Sequence, residues 1–93
     1  MGKYLIEITD TAKNHFHLHK KSGNKADIRK IETLVAELEE HPYTGIGKPE
    51  QLKYELTGFW SRRINKKDRL VYVVSENLMK VEIMSAMGHY IKI

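Results

Sequence analysis

Tyr4, Ile6 and Ile8 alternate with Leu5 and Glu7, and this period of two predicts a short N-terminal strand with at least one mostly buried side. The strand ends at Thr9-Asp10, either of which caps a first helix reaching about Ser22, with Ala12, Phe16 and Leu18 as its apolar marks and Gly23 as its stop. That stripe is thin. Asn24 caps a second helix with Asp27 at the third position, and Ile28, Ile31, Leu34, Val35 and Leu38 then recur at helical spacing. This second helix stops near His41, because Pro42 has no N–H and restricts the residue before it.

Gly45, Gly47 and Pro49 mark a loop. It follows a helix and leads into no second one, so Gly45-Ile46-Gly47-Lys48 does not read as a nucleotide-binding loop. Beyond it, Leu52 to Leu56 reads as a short strand and Thr57-Gly58 as a turn. Phe59 to Ile64, Leu70 to Ser75 and Met79 to Ala86 read as three strands joined by Asn65-Lys66-Lys67-Asp68 and Glu76-Asn77. The predicted class is α+β, with two N-terminal helices packed on one face of a twisted, mainly antiparallel sheet and the other face partly open. Within Phe59 to Ile64, Phe59, Ser61 and Arg63 take one side and Trp60, Arg62 and Ile64 the other. The two arginines therefore point opposite ways, and the pattern leaves open which one faces outward.

At 93 residues the chain is expected to form a single domain spanning 1–93, and 41% hydrophobic with 30% charged residues is the balance of a globular protein. With no cysteine, disulfides, thiolate nucleophiles and sulfur-ligated metals are excluded. Apolar runs are too short to cross a bilayer and the N-terminus lacks the apolar core of a signal peptide, so the expected location is the cytoplasm, with no membrane partner. The net charge of +4 is local: residues 48 to 69 hold Lys48, Lys53, Arg62, Arg63, Lys66, Lys67 and Arg69 against Glu50, Glu55 and Asp68. Such a concentration suits a surface that meets a polyanion, although a solvated basic turn would look similar.

An enzyme made from these residues would work with Glu, His, Arg, Lys and Tyr, a set that suits cleavage of RNA. A base takes the proton of the ribose 2′-hydroxyl, cations stabilise the phosphoryl oxygens, and an acid protonates the departing 5′ oxygen. The ribose supplies the nucleophile, so this chemistry calls for no metal or other cofactor, and DNA lacks the required hydroxyl. Acid–base candidates are Glu50, Glu55, His15, His17, His19, His41 and His89. His15 and His19 lie one helical turn apart, but nothing in the local sequence completes a metal site, and a surface or boundary role is expected for them. His41 reads as a helix-end residue. Tyr43, Tyr54, Trp60, Tyr72 and Tyr90 offer rings that stack on bases, with Tyr72 expected in the core and Trp60 divided between core and a contact surface.

Three segments carry a resemblance to a known family. Gly45-Ile46-Gly47-Lys48-Pro49-Glu50-Gln51-Leu52-Lys53, then Leu56-Thr57-Gly58-Phe59-Trp60-Ser61-Arg62-Arg63-Ile64, then Arg69-Leu70-Val71-Tyr72, with His89-Tyr90 near the end, resemble the YoeB toxins of bacterial toxin–antitoxin pairs, within the RelE/ParE superfamily. The resemblance implies a RelE/ParE-like, microbial-RNase-like fold and an endonuclease that cuts messenger RNA at the ribosomal A site. It implies catalytic roles for Glu50 as base, Arg69 at the phosphoryl oxygens and His89 as acid, with Lys53, Arg63 and Tyr90 assisting RNA binding. It also implies a cognate antitoxin, the ribosome and mRNA as partners, and leaves open whether two toxins associate as a homodimer.

The chain departs from that pattern in places. Ile91-Lys92-Ile93 extend past the His-Tyr pair, Gly88 stands where a larger residue usually precedes the histidine, and Asp68 replaces a frequent histidine before Arg69. Gly88 is expected to loosen the hold on His89, and Asp68 to pair with Arg69 or Lys67. Two other readings stay open at this level: a relative that poisons a protein target, as ParE-type toxins do, and a non-catalytic RNA-binding module. Neither has a chemical need for Glu50, Arg69 and His89 together.

Overall fold

The computed structural model describes residues 3–53 and 57–88. Strand β1 (Leu5–Ile8) leads into helix α1 (Asp10–Ser22), whose N-cap is Thr9: the side-chain oxygen accepts the Ala12 N–H at 3.2 Å. Gly23 closes α1 in the left-handed conformation (φ 76°), a geometry that costs glycine little. Helix α2 (Lys25–Leu38) starts on Asn24, which accepts the Asp27 N–H at 3.1 Å. Both caps lie where the sequence pattern put them.

Strands β2 (Glu50–Gln51), β3 (Phe59–Arg63), β4 (Arg69–Ser75) and β5 (Lys80–Ser85) complete one five-stranded sheet in the order β1-β5-β4-β3-β2. β2, β3, β4 and β5 pair antiparallel, whereas β1 joins β5 in parallel, Leu5 opposite Lys80 and Ile8 opposite Ile83. Of the strand expected at Leu52 to Leu56, Leu52 and Lys53 stand outside any strand; pairing occurs instead at Glu50–Gln51, and Leu52 buries its side chain after a backbone bond from its N–H to Phe59 O at 2.9 Å. Its far end at Leu56 lies outside the described residues, as do Tyr54, Glu55, His89, Tyr90 and the Ile91-Lys92-Ile93 extension.

The two helices cover the face of the sheet that carries Trp60 and Ile64 from β3 and its turn, Leu70 and Tyr72 from β4, and Val81 and Ile83 from β5. Ile31, Leu34 and Leu38 of α2 and Ala12 of α1 meet them in one apolar core, with Phe16 half-buried against it. Leu18, expected on the apolar stripe, is instead 40% exposed, and His19 is buried at 4%. Helical geometry explains the exchange, since residues 12, 16 and 19 stack on one face and residue 18 falls away from it. No helix among the described residues is long and apolar enough to cross a membrane.

Candidate active site

The face of the sheet away from the helices gathers the basic segment. Glu50 pairs with Ser61, Ser61 with Val71, and Val71 with Ser85, while Arg63 pairs with Arg69 at the next same-face position. Paired residues project to the same side of a sheet, so Glu50, Arg63 and Arg69 share one face across three adjacent strands. Glu50 and Arg63 are exposed, Arg69 is half-buried, and Ser61, Val71 and Ser85 form a buried floor. Lys53, two residues beyond β2, is exposed at the same edge.

Arg62 and Arg63 separate as strand alternation requires, and the structure settles which faces outward. Arg62 is wholly buried, its guanidinium paired with the Glu37 carboxylate of α2 and donating to His41 O, to Thr44 O (2.8 Å) and to Tyr72 Oη (3.1 Å). Tyr72 in turn donates to Pro42 O at 2.7 Å. Arg62 therefore belongs to no exposed surface; it ties the loop ahead of Glu50 to the core. Glycine makes this approach feasible: a Cβ at Gly45 would lie 1.7 Å from Glu37 Oε1, and Gly47, whose O accepts the Arg63 N–H at 2.7 Å, sits at φ +80° against Leu34 and β3.

After β5 the chain runs beside the start of β4. The Arg69 N–H donates to Gly88 O at 2.8 Å, and the Gly88 N–H donates to Asp68 Oδ1 at 3.0 Å. Burial pushes the Asp68 carboxyl up, but that bond, the Asn65 amide and the nearby His19 and Lys67 together hold it below its usual range. The expected pairing of Asp68 with Arg69 or Lys67 is thus replaced by hydrogen bonds to Asn65 Nδ2 (3.1 Å) and Gly88 N–H, with Lys67 acting only through the field. Gly88 is bonded through both its N–H and its C=O, while His89, whose hold Gly88 is expected to loosen, lies outside the described residues.

His15 and His19 do not sit on an open helix surface. Ala86 N–H donates to His15 Nδ1 at 3.0 Å, and His19 Nε2 donates to Ala86 O at 2.7 Å. Burial, together with the neighbouring His19, lowers the His15 pKa, Asp68 opposing. His19, Asp27 and Asp68 also bring ligand-type atoms within 4.8 Å of one another, a grouping across both helices and the β3–β4 turn that helical spacing could not reveal. The Asn65 amide donates to both carboxylates there, at 2.9 Å to Asp27 and 3.1 Å to Asp68. A groove of about 600 Å³ between the helices, lined by Phe16, Ile31 and Val35 among others, contains none of Glu50, Lys53, Arg63 and Arg69.

Other sequence candidates fall away from this face or off the described chain. His17 is exposed on α1, His41 lies beyond the end of α2 at Leu38, and Tyr72 is in the core. Trp60 is half-buried against the core with its ring centroid 5.2 Å from that of Tyr43.

Residues 9–90 match the family model described as the YoeB-like toxin of bacterial type II toxin–antitoxin systems. The chain belongs to that family. A YoeB toxin of Synechocystis is 40% identical over 76 residues, covering 82% of this chain and 86% of that protein, and one of Mycobacterium bovis is 41% identical over 69 residues, covering 74% and 79%. Among solved structures, a YoeB/ParE toxin from Agrobacterium tumefaciens superposes with a TM-score of 0.84 at 30% identity, covering 92% of this chain and 99% of that one. The toxin chain of a YoeB-YefM complex from Staphylococcus aureus gives 0.77 at 36% identity, covering 94% and 98%, and the S. aureus YoeB dimer gives 0.78 at 36%, covering 95% and 99%. The family's RelE/ParE-type fold of two helices on a mixed sheet is the fold described above.

Proposed function

We propose that this YoeB-family chain is a single toxin domain over 1–93 that cuts messenger RNA in the ribosomal A site and is neutralised by a cognate antitoxin. The observation that carries the reading is the arrangement around Arg69. Its register partner is Arg63, Glu50 shares their face two strands away, and its own N–H holds Gly88, the residue just before His89. A carboxylate and two guanidinium-bearing residues therefore share one side of the sheet, and the residue just before His89 is bonded to the same strand as Arg69.

In this reading Glu50 takes the proton from the ribose 2′-hydroxyl, whose oxygen attacks the adjacent phosphorus. Arg69 meets the phosphoryl oxygens with a planar fork of donors that lysine cannot copy, and Arg63 and Lys53 grip the flanking backbone. His89 protonates the 5′ oxygen as its bond to phosphorus breaks, and Tyr90 orients the RNA. The products are a 2′,3′-cyclic phosphate and a 5′-hydroxyl. The ribosome supplies the orientation that a shallow sheet face lacks, so free RNA is a poor substrate. The antitoxin meets the basic face with acidic groups, and two toxins associate as in the S. aureus dimer.

Primer extension on ribosomes paused at a known codon, with the cut ends mapped, tests this. Wild type is expected to cleave and leave a 5′-hydroxyl, while Glu50→Gln and His89→Ala fall by orders of magnitude. A 5′-phosphate product eliminates the mechanism, and equal RNA affinity without cleavage by any form identifies a binding module instead.

A further inference from the structure

Past Ser85 the sheet ends, and the backbone groups of the following residues need other partners or water. They find protein partners. Ala86 is fully buried, and its N–H and C=O are taken by His15 Nδ1 and His19 Nε2, at 3.0 and 2.7 Å. Gly88 sits at φ +75° with its C=O on the Arg69 N–H and its N–H on Asp68. The three residues that precede His89 are thus fastened at both ends, to α1 on one side and to the start of β4 on the other.

The two imidazoles play complementary parts. His15 accepts, which requires a lone pair on Nδ1, and His19 donates, which requires a proton on Nε2. Being four residues apart on one helix, they straddle a single residue's peptide groups with opposite polarity. His19 is 4% exposed, so its ring is also fixed by packing.

We infer that His15 and His19 are positioning residues for the cleavage reaction: by clasping Ala86 they fix the chain that leads through Gly88 to His89. This inference rests on the role proposed for His89. Gly88 adds backbone freedom that its own bonds to Arg69 and Asp68 offset, and the clasp on Ala86 gives the segment its second point of attachment. A general acid must come within about 2.6–3.2 Å of the oxygen it protonates. A misplacement of about 1 Å costs roughly 100-fold in rate.

The test is single-turnover cleavage of mRNA on programmed ribosomes, giving a maximal rate and a half-saturating toxin concentration. His15→Leu and His19→Leu are expected to lose about 10- to 100-fold in maximal rate with half-saturation unchanged. His15→Asn, whose Oδ1 stands where Nδ1 was, and His19→Gln, whose amide stands where Nε2 was, are expected to recover to within about threefold of wild type. Should the leucine variants fail to fold, His15→Gln and His19→Asn carry the same comparison, because each keeps the amide and moves it by one methylene. An unchanged rate in the variants lacking the bond, a loss that the matched amide does not restore, or a shift confined to half-saturation overturns the inference. His89→Ala is measured alongside: full activity there overturns the reading of His89 itself, whereas an inactive His89→Ala with unaffected His15 and His19 variants overturns only the clasp.

Discussion

Arg63 and Arg69 stand directly opposite each other on neighbouring strands, two cations at one register position on the same face. Opposed like charges destabilise a sheet by about 0.2–1 kcal/mol, so the pairing is a cost the fold carries, and an anion bound between them would turn it into an attraction. Replacing Arg63 by Thr is therefore expected to raise stability by up to about 1 kcal/mol while slowing cleavage. Chemical denaturation and ribosome-dependent cleavage, measured on the same preparation, check both signs.

The buried pair beneath that face has the opposite character. Arg62 is inaccessible and Glu37 is its ionic partner, so Glu37→Ala leaves a guanidinium without its counter-charge and is expected to cost about 3–5 kcal/mol. Because the same guanidinium holds carbonyls of the loop at His41 and Thr44, urea unfolding should show the loss together with faster proteolysis between residues 41 and 49. Removing both partners, as in Glu37→Leu with Arg62→Met, is expected to restore part of the stability.

At Gly47 a methyl group would meet Leu34 Cδ2 at 3.0 Å, Arg63 O at 3.1 Å and Arg62 Cβ at 3.2 Å, on a backbone at φ +80°. Gly47→Ala is expected to destabilise by about 1–3 kcal/mol from the backbone strain alone. Thermal melting of this variant beside Gly23→Ala, where no atom lies within 4 Å, separates the crowding from the strain the two positions share.

Acid should weaken the fold through His15. Its folded-state pKa lies below the free value of 6.5, so the unfolded chain takes up a proton first and stability falls as pH drops below about 6.5. Asp68, held below its ordinary carboxylate range, adds loss in the same direction at lower pH, as its own group protonates. Melting temperatures from pH 8 to 5 should decline less in His15→Asn than in wild type, since the amide does not titrate.

Much of this architecture is written locally. Thr9, Asn24 and Gly23 announce the ends of the helices through capping chemistry that depends only on near neighbours, and the alternation in Phe59 to Ile64 assigns Arg62 and Arg63 to opposite faces. What alternation cannot say is which face the helices cover; that follows from Glu37 reaching Arg62 across 25 residues of sequence. The short β2 is not legible in the sequence, because Glu50-Gln51 has no apolar signature and is a strand only through its partners Ser61 and Trp60. The same holds for His15 and His19, whose spacing is visible but whose partner, Ala86, offers nothing except backbone. Glu50, Arg63 and Arg69 were legible from the motif, and their common face needed the register.

The parallel pairing of the first strand with the last has a consequence for synthesis. Leu5 to Ile8 find their neighbour only at Lys80 to Ile83, and α1 finds Ala86 later still. A nascent chain that has emerged as far as α2 holds only β1 of its sheet, still without the β5 neighbour it pairs with, and contacts this distant in sequence close late. The domain thus completes itself only once its final strand has left the exit tunnel, so no shorter nascent chain carries the finished sheet.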